Sequence, residues 1–208
     1  MTDFADFKTQ IAEYANRQDW PDALVVGFIR QAEQKFNAEL RVDRMILFQQ
    51  ATVGARCAPL PPDWLQMELV RIASTAVPDG FIPIRYKSRD EFFSTKDNWA
   101  TGFYTIQARE VFVGGAPDDV NGRTLKITYY AEVPVFSDTT PSWIYTKYPS
   151  LYLSAALMHA FLHAVGEEDK AVGAKQLTED AINKLNAGHL LSRASGSRVT
   201  RTRVRSFG

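Results

Sequence analysis

The chain has 208 residues, 45% of them hydrophobic and 23% charged, with 24 basic side chains, 24 acidic ones and a single cysteine. That composition is ordinary for a soluble globular protein, and the length can bury one proper core, or one core with an inserted lobe. The lone Cys57 excludes an internal disulfide and a thiolate-based zinc site, and it fits synthesis in a reducing cytoplasm.

The first residues are acidic and amphipathic, so no secretion signal is expected. Phe4, Phe7, Ile11 and Tyr14 recur at helical spacing behind Thr2 or Asp3 as cap, which predicts a first helix. Asp19-Trp20-Pro21-Asp22 then punctuates the chain. Pro21 is placed to open a second helix running to about Leu40, which buries Leu24, Val25, Phe28, Ile29, Ala32, Phe36 and Leu40. From Met45 to Tyr130 the apolar residues fall in short runs divided by Pro and Gly. Strands are predicted over 45–52, 64–73, 82–86, 104–108, 111–113 and 124–131, with a short helix over 88–96. The run Gly114-Gly115-Ala116-Pro117-Asp118-Asp119 lacks the Gly-Lys-Ser/Thr ending of a phosphate cradle and reads as a hairpin turn between 111–113 and 124–131.

Residues 134–141 are turn chemistry. Pro149 suits the first turn of a helix over 148–165, which is apolar nearly all round and so predicted to be the central one, with Leu157 and Phe161 fully buried. That stretch is too short, and too interrupted by Ser154, His159 and His163, to span a bilayer. Gly166 ends it. A last helix over 167–186 turns Ala171, Ala174, Leu177, Ala181 and Leu185 inward, and the fold is complete by Asn186. The predicted class is α+β: a bundle of about four helices with a β-rich insertion between helices 2 and 3, and an extended C-terminal tail. The parts are residues 1–44 and 132–187 for the bundle, 45–131 for the insertion and 188–208 for the basic tail.

Little in the chain points to catalysis. His159, His163 and Glu167 lie four apart, a spacing that could present three metal ligands on one helix face. No second ligand-rich segment completes such a site, and Gly166 breaks the helix before Glu167. The expectation is therefore no metal, no cofactor and no enzyme, with the histidines on a flank facing solvent or a subunit neighbour. Cys57, set among Ala and Pro, reads as inert packing. Trp143, Tyr145 and Tyr148 read as a satellite core where the β segment rejoins the helices.

The tail stands apart. Residues 188–208 carry Arg193, Arg198, Arg201, Arg203 and Arg205 and no acid, a net +5, and so leave 19 basic and 24 acidic side chains elsewhere, a net −5. Opposite charge on tail and body is an interaction signature. The alternation of Arg with Val and Thr over 198–205 suits a strand added to a partner's sheet edge, the arginines reaching carboxylates or phosphates.

Residues 129–157 also carry a likeness in identity. Tyr129-Tyr130-Ala131 ends a strand, Pro134, Asp138 and Pro141 mark a loop, and Trp143, Lys147-Tyr148-Pro149 and Leu151-Tyr152 open a helix. In that order the block resembles the head-to-tail adaptor (connector) proteins of tailed bacteriophages, and Leu60-Pro61-Pro62-Asp63-Trp64 is a weaker upstream echo. The likeness covers about residues 20–187. It implies a virion structural protein of the neck, made in the host bacterial cytoplasm and binding no membrane. Twelve copies would form a ring beneath the portal, joined below to the next tail or connector protein, around a channel through which DNA passes without sequence recognition. It further implies that the C-terminal segment docks on the portal, through Arg193, Arg198, Arg201, Arg203, Arg205 and Phe207. Two readings from other classes stand beside it: a nucleic-acid-binding protein using the Arg-rich tail on phosphates, and a small metal-dependent enzyme built on His159, His163 and Glu167.

Overall fold

The structure, a computed structural model, describes residues 4–75, 80–94 and 102–196. The chain divides into two compact units, one made of Met1–Asp43 with Val133–Gly208 and the other of Arg44–Glu132. The fold is mixed α+β. A bundle of about four helices is a poor match to it, because the described residues form seven helices and the largest single element is a seven-stranded sheet.

The first unit holds α1 (Phe4–Tyr14), α2 (Asp22–Glu39), α5 (Trp143–Lys147), α6 (Pro149–His163) and α7 (Glu168–Gly196). On α1, Phe4, Phe7 and Ile11 are buried, while Tyr14 points to solvent and Ala15 takes the next inward place. On α2 the expected face is buried except Leu24, which is half-buried. The short α5 was not foreseen. Ser142 Oγ accepts the Tyr145 N–H and caps it, and the chain breaks at Tyr148 because Pro149 biases the residue before it away from helical geometry. On α6 the fully enclosed residues are Tyr152, Ala155, Ala156 and Ala160, whereas Leu157 and Phe161 each keep 8% exposure. Helix α6 ends at His163, where Ala164 takes extended geometry, and Gly166, at φ +82°, lies in the turn that leads to α7.

Helix α7 corrects two expectations. It does not stop at Asn186 but continues through Gly188 to Gly196, so residues 188–196 are helical and Arg193 lies in the last turn. Tertiary anchors override the weak helix propensity of Gly188: Asn186 Oδ1 accepts the Arg41 N–H at 2.7 Å, Asn186 Nδ2 donates to the Glu39 carbonyl, and buried His189 sits 2.9 Å from Asp43. The inward stripe is Ala171, Ala174, Thr178, Ile182 and His189, and Leu177 is 66% exposed. The Thr178 hydroxyl instead lies 2.8 Å from the Ala174 carbonyl and 3.0 Å from Ser154 Oγ, with one proton to donate between them. Leu157→Ala is therefore expected to cost about 2–5 kcal/mol. Leu177→Ala should stay within about 0.5 kcal/mol. Urea unfolding of the two variants checks both, and equal losses would contradict this inward face.

The second unit holds β1 (Ile46–Thr52), β2 (Cys57–Pro59), β3 (Trp64–Ala73), β4 (Phe81–Tyr86), β5 (Phe103–Gln107), β6 (Glu110–Val113) and β7 (Thr124–Ala131), with α3 (Arg89–Ser94) and α4 (Pro117–Val120) between strands. The sheet order is β1-β7-β3-β4-β5-β6-β2. All pairs are antiparallel except β4 with β5, whose connection includes α3, as a parallel crossover requires. Residues 95 and 96 of the expected helix over 88–96 lie outside the described residues.

The expected hairpin between 111–113 and 124–131 does not form. Strand β6 pairs with β5 and β2, and β7 pairs with β1 and β3. The intervening residues make α4, with Pro117 at its start and Asp118 and Asp119 in its first turn, where carboxylates are favoured. Alternation on β7 and β3 brings Val70, Ile72, Leu125 and Ile127 into the core of this unit. The edge strand β1 is different: Leu47 and Phe48 stand on opposite faces and are both exposed, Phe48 at 77%.

Candidate functional site

The sequence block that carries the family likeness is also where the first unit is pinned together. Glu33 sits on the apolar stripe of α2 between Ile29 and Phe36 and is only 4% exposed, a position where a carboxylate needs several donors. It has them. Arg30 Nη1 donates to both oxygens, at 3.0 and 2.8 Å, the Tyr152 hydroxyl donates at 2.9 Å and the Phe136 backbone N–H at 2.7 Å. The same guanidinium nitrogen donates to the Phe136 carbonyl at 3.0 Å, and Asn37 Oδ1 accepts the Val133 N–H at 2.7 Å.

One side chain of α2 thus fixes both the loop after β7 and the central helix α6. Around it the rings of Phe7, Phe136, Tyr145 and Tyr152 lie 4.6–6.2 Å apart, so Tyr145 belongs to the main core and not to a satellite of Trp143 and Tyr148. Burial, and after it the Glu33 charge, holds the Tyr152 hydroxyl protonated far above the ordinary phenol range.

In the second unit the upstream echo meets the strand that ends in Tyr129-Tyr130-Ala131. Trp64 pairs with Ala131, the Asp63 carbonyl accepts the Glu132 N–H at 2.8 Å, and the Tyr129 hydroxyl donates to Asp63 Oδ1 at 3.1 Å. Burial first, then the hydrogen bond and charge of Asp63, pushes Tyr129 up to about 12. An unfolded tyrosine ionises near pH 10 while folded Tyr129 keeps its proton, so the folded state binds more protons in that window. Its contribution is complete below pH 10 and is lost as pH rises to about 12. Tyr129→Phe is therefore expected to flatten the fall in melting temperature over that range; an unchanged alkaline slope would count against it.

The other candidates are directed elsewhere. The ring of His163 lies 6.1 Å from that of Trp20 and 5.7 Å from that of Phe28, while Glu167 pairs with Lys170 at 2.7 Å. His159 is half-buried, and burial, followed by the nearby Lys35 charge, lowers its proton affinity. Among the described residues no group of three or more His, Cys, Asp or Glu could hold a metal ion. Cys57 lies in β2, where its thiol meets the Gly54 carbonyl at 3.3 Å; burial, and then Glu110, raises its pKa, which disfavours the thiolate.

Of the tail residues, Arg193 is placed on α7, while Arg198, Arg201, Arg203, Arg205 and Phe207 lie outside the described residues. Residues 44–132 hold ten acidic and ten basic side chains, so the five-acid excess of the body falls wholly in residues 1–43 and 133–187. Glu33 itself was missed, although one carboxylate inside an apolar helical stripe is a signal that a sequence does carry.

These polar groups clamp a loop and a helix to one buried carboxylate. A family model described as SU10 adaptor protein matches residues 2–205, and the chain belongs to that family. The match bears out the likeness to bacteriophage adaptors read from residues 129–157, and an adaptor family suggests a role in assembly. No curated protein matches the chain. No helix among the described residues is long and apolar enough to cross a membrane.

Proposed function

We propose that this protein is a head-to-tail adaptor of a tailed-bacteriophage virion, one subunit of a ring that docks beneath the portal, joins it to the next tail component and surrounds the path of the DNA. The observation that carries the reading is the family match over nearly the whole chain. The division of charge supports it: a tail with five arginines and no acid suits a carboxylate-bearing portal face, while the rest of the chain carries a net excess of acid. The mechanism is binding without turnover.

A ring templated by the portal leaves the free subunit with weak self-association. Light scattering of purified protein is therefore expected to give mainly monomer, and electron microscopy of portal-bearing heads mixed with it a closed ring of twelve. A stable closed dimer in both settings would overturn the adaptor reading.

A further inference from the structure

The face of the sheet turned away from its core is basic over four strands. Paired residues of neighbouring strands share a face, and Gln50, Lys126, Arg71 and Pro83 stand in one register row across β1, β7, β3 and β4. Val70 and Ile84, one residue along, belong to the core, so the row looks outward, and Arg85 joins it by alternation. Gln50, Arg71 and Arg85 are exposed, while Lys126 is half-buried with its Nζ 3.9 Å from the centre of the Phe81 ring. The one carboxylate on these four strands, Glu68, sits in the β3 bulge between Met67 and Leu69, outside the row. Arg71, Arg85 and Lys126 make no ion pair with another described residue. Lys87, just past β4, is already paired with Glu91 at 3.5 Å. On β5 and β6 the same face is closed by α3, whose Phe93 ring meets that of Phe112 at 6.0 Å, and Thr105 beneath is fully buried. The basic strands are the part left open.

We propose that this face holds the phosphate backbone of double-stranded DNA. Residues 44–132 carry equal numbers of basic and acidic side chains, so a row of three cations without a carboxylate is a concentration of charge made by the fold. The side chains around the cations suit phosphate as well: Thr124, Thr128 and Gln50 share the face and can donate to phosphate oxygens. An acidic protein is the other occupant that such charge attracts. Protein interfaces centre on buried aromatic and aliphatic anchors, and the one exposed large apolar side chain on this face is Phe48, on the edge strand. Protein–DNA interfaces are instead polar and strongly positive. Contact with phosphates alone carries no base sequence, which suits DNA that moves past the surface. The source of that DNA rests on the ring reading above, in which this face is the one turned to the channel.

The test is binding of the full-length protein to a random-sequence DNA duplex of roughly 30 base pairs, measured by fluorescence anisotropy over a salt series from low ionic strength. A variant carrying Arg71→Gln, Arg85→Gln and Lys126→Gln should bind about tenfold or more weakly at low salt, and its log–log salt slope should fall by about 2.7. Arg71→Lys with Arg85→Lys keeps the charge and should keep the wild-type slope. Should the triple variant melt early, Arg71→Gln alone carries the test, with a fall in slope of about 0.9. A wild-type slope in the Gln variants overturns the proposal, and so does a wild-type protein that binds no DNA at low salt. Replacing Arg198, Arg201, Arg203 and Arg205 with Gln separates the tail: if that variant loses all salt-dependent binding, the tail is the DNA contact and the proposal falls. Capture of polyglutamate through the three cations, with no capture of DNA, would make an acidic protein the occupant, which also overturns it. Ring formation on portal-bearing heads is scored separately. Rings without DNA binding sink this proposal alone, and DNA binding without rings sinks the adaptor reading alone.

Discussion

Glu33→Ala should be among the most damaging single substitutions in this chain, costing about 3–5 kcal/mol. Removing the carboxylate leaves the Arg30 guanidinium, the Tyr152 hydroxyl and the Phe136 N–H aimed at a void, and each unmet donor at a buried site carries its own desolvation penalty. For a chain of this length the loss corresponds to a fall in Tm of about 10 °C. Glu33→Gln should be milder, because an amide oxygen in the place of Oε1 still accepts from Phe136 and Tyr152, and what is lost is the charge and the Arg30 bond to Oε2. Thermal melting of the pair checks the order. If Glu33→Ala melted within about 2 °C of wild type, the carboxylate would not be what clamps the loop and α6 to α2.

Deletion of residues 197–208 should produce the opposite pattern, with stability kept and attachment lost. Every buried residue of the described structure is kept, so the melting temperature should stay nearly unchanged. Attachment to portal-bearing heads should weaken about a hundredfold or more, taking Arg198, Arg201, Arg203 and Arg205 as four partly exposed ion pairs of about 0.7 kcal/mol each. Replacing those four with Gln should reproduce part of the loss, and wild-type attachment should weaken as salt is added. Arg193 is a separate case, because it sits on the last turn of α7 and not in the segment beyond. Full-strength attachment of the truncated protein would remove the tail from the mechanism and leave the helical unit as the portal-binding surface.

The parts of the fold that were legible in the sequence are those set by local pattern. Strands β3 and β7 follow their alternation and β-branched residues to the residue, and Pro21 and Gly166 mark helix boundaries near where they were read. Strand β2 was invisible because it is three residues long and enters by a turn whose central residues, Ala55 and Arg56, take φ of 49° and 65° without Gly or Asn to announce it. The same strained turn, at Ala108 and Arg109, joins β5 to β6. The site was half legible. The block that identified the family proved to be the one that Glu33 holds, but its donors come from positions 103 and 119 residues away, and no local pattern encodes such pairs. The end of α7 was misread for the same reason, since Gly188 and the polar residues after it say stop, while Asn186 and His189 are anchored from the far end of α2.

The split of the helical unit by residues 44–132 has a price during synthesis. Helices α1 and α2 leave the ribosome with Phe7 and Phe36 uncovered, and the rings that pack on them, Phe136, Tyr145 and Tyr152, are made only after the whole sheet. At about 5–20 residues per second the uncovered interval lasts roughly 5–20 seconds, long enough for chaperone capture or for aggregation between nascent chains. Expression yield should therefore depend on how fast the sheet is translated and closed, even for variants whose finished helical unit is as stable as the parent.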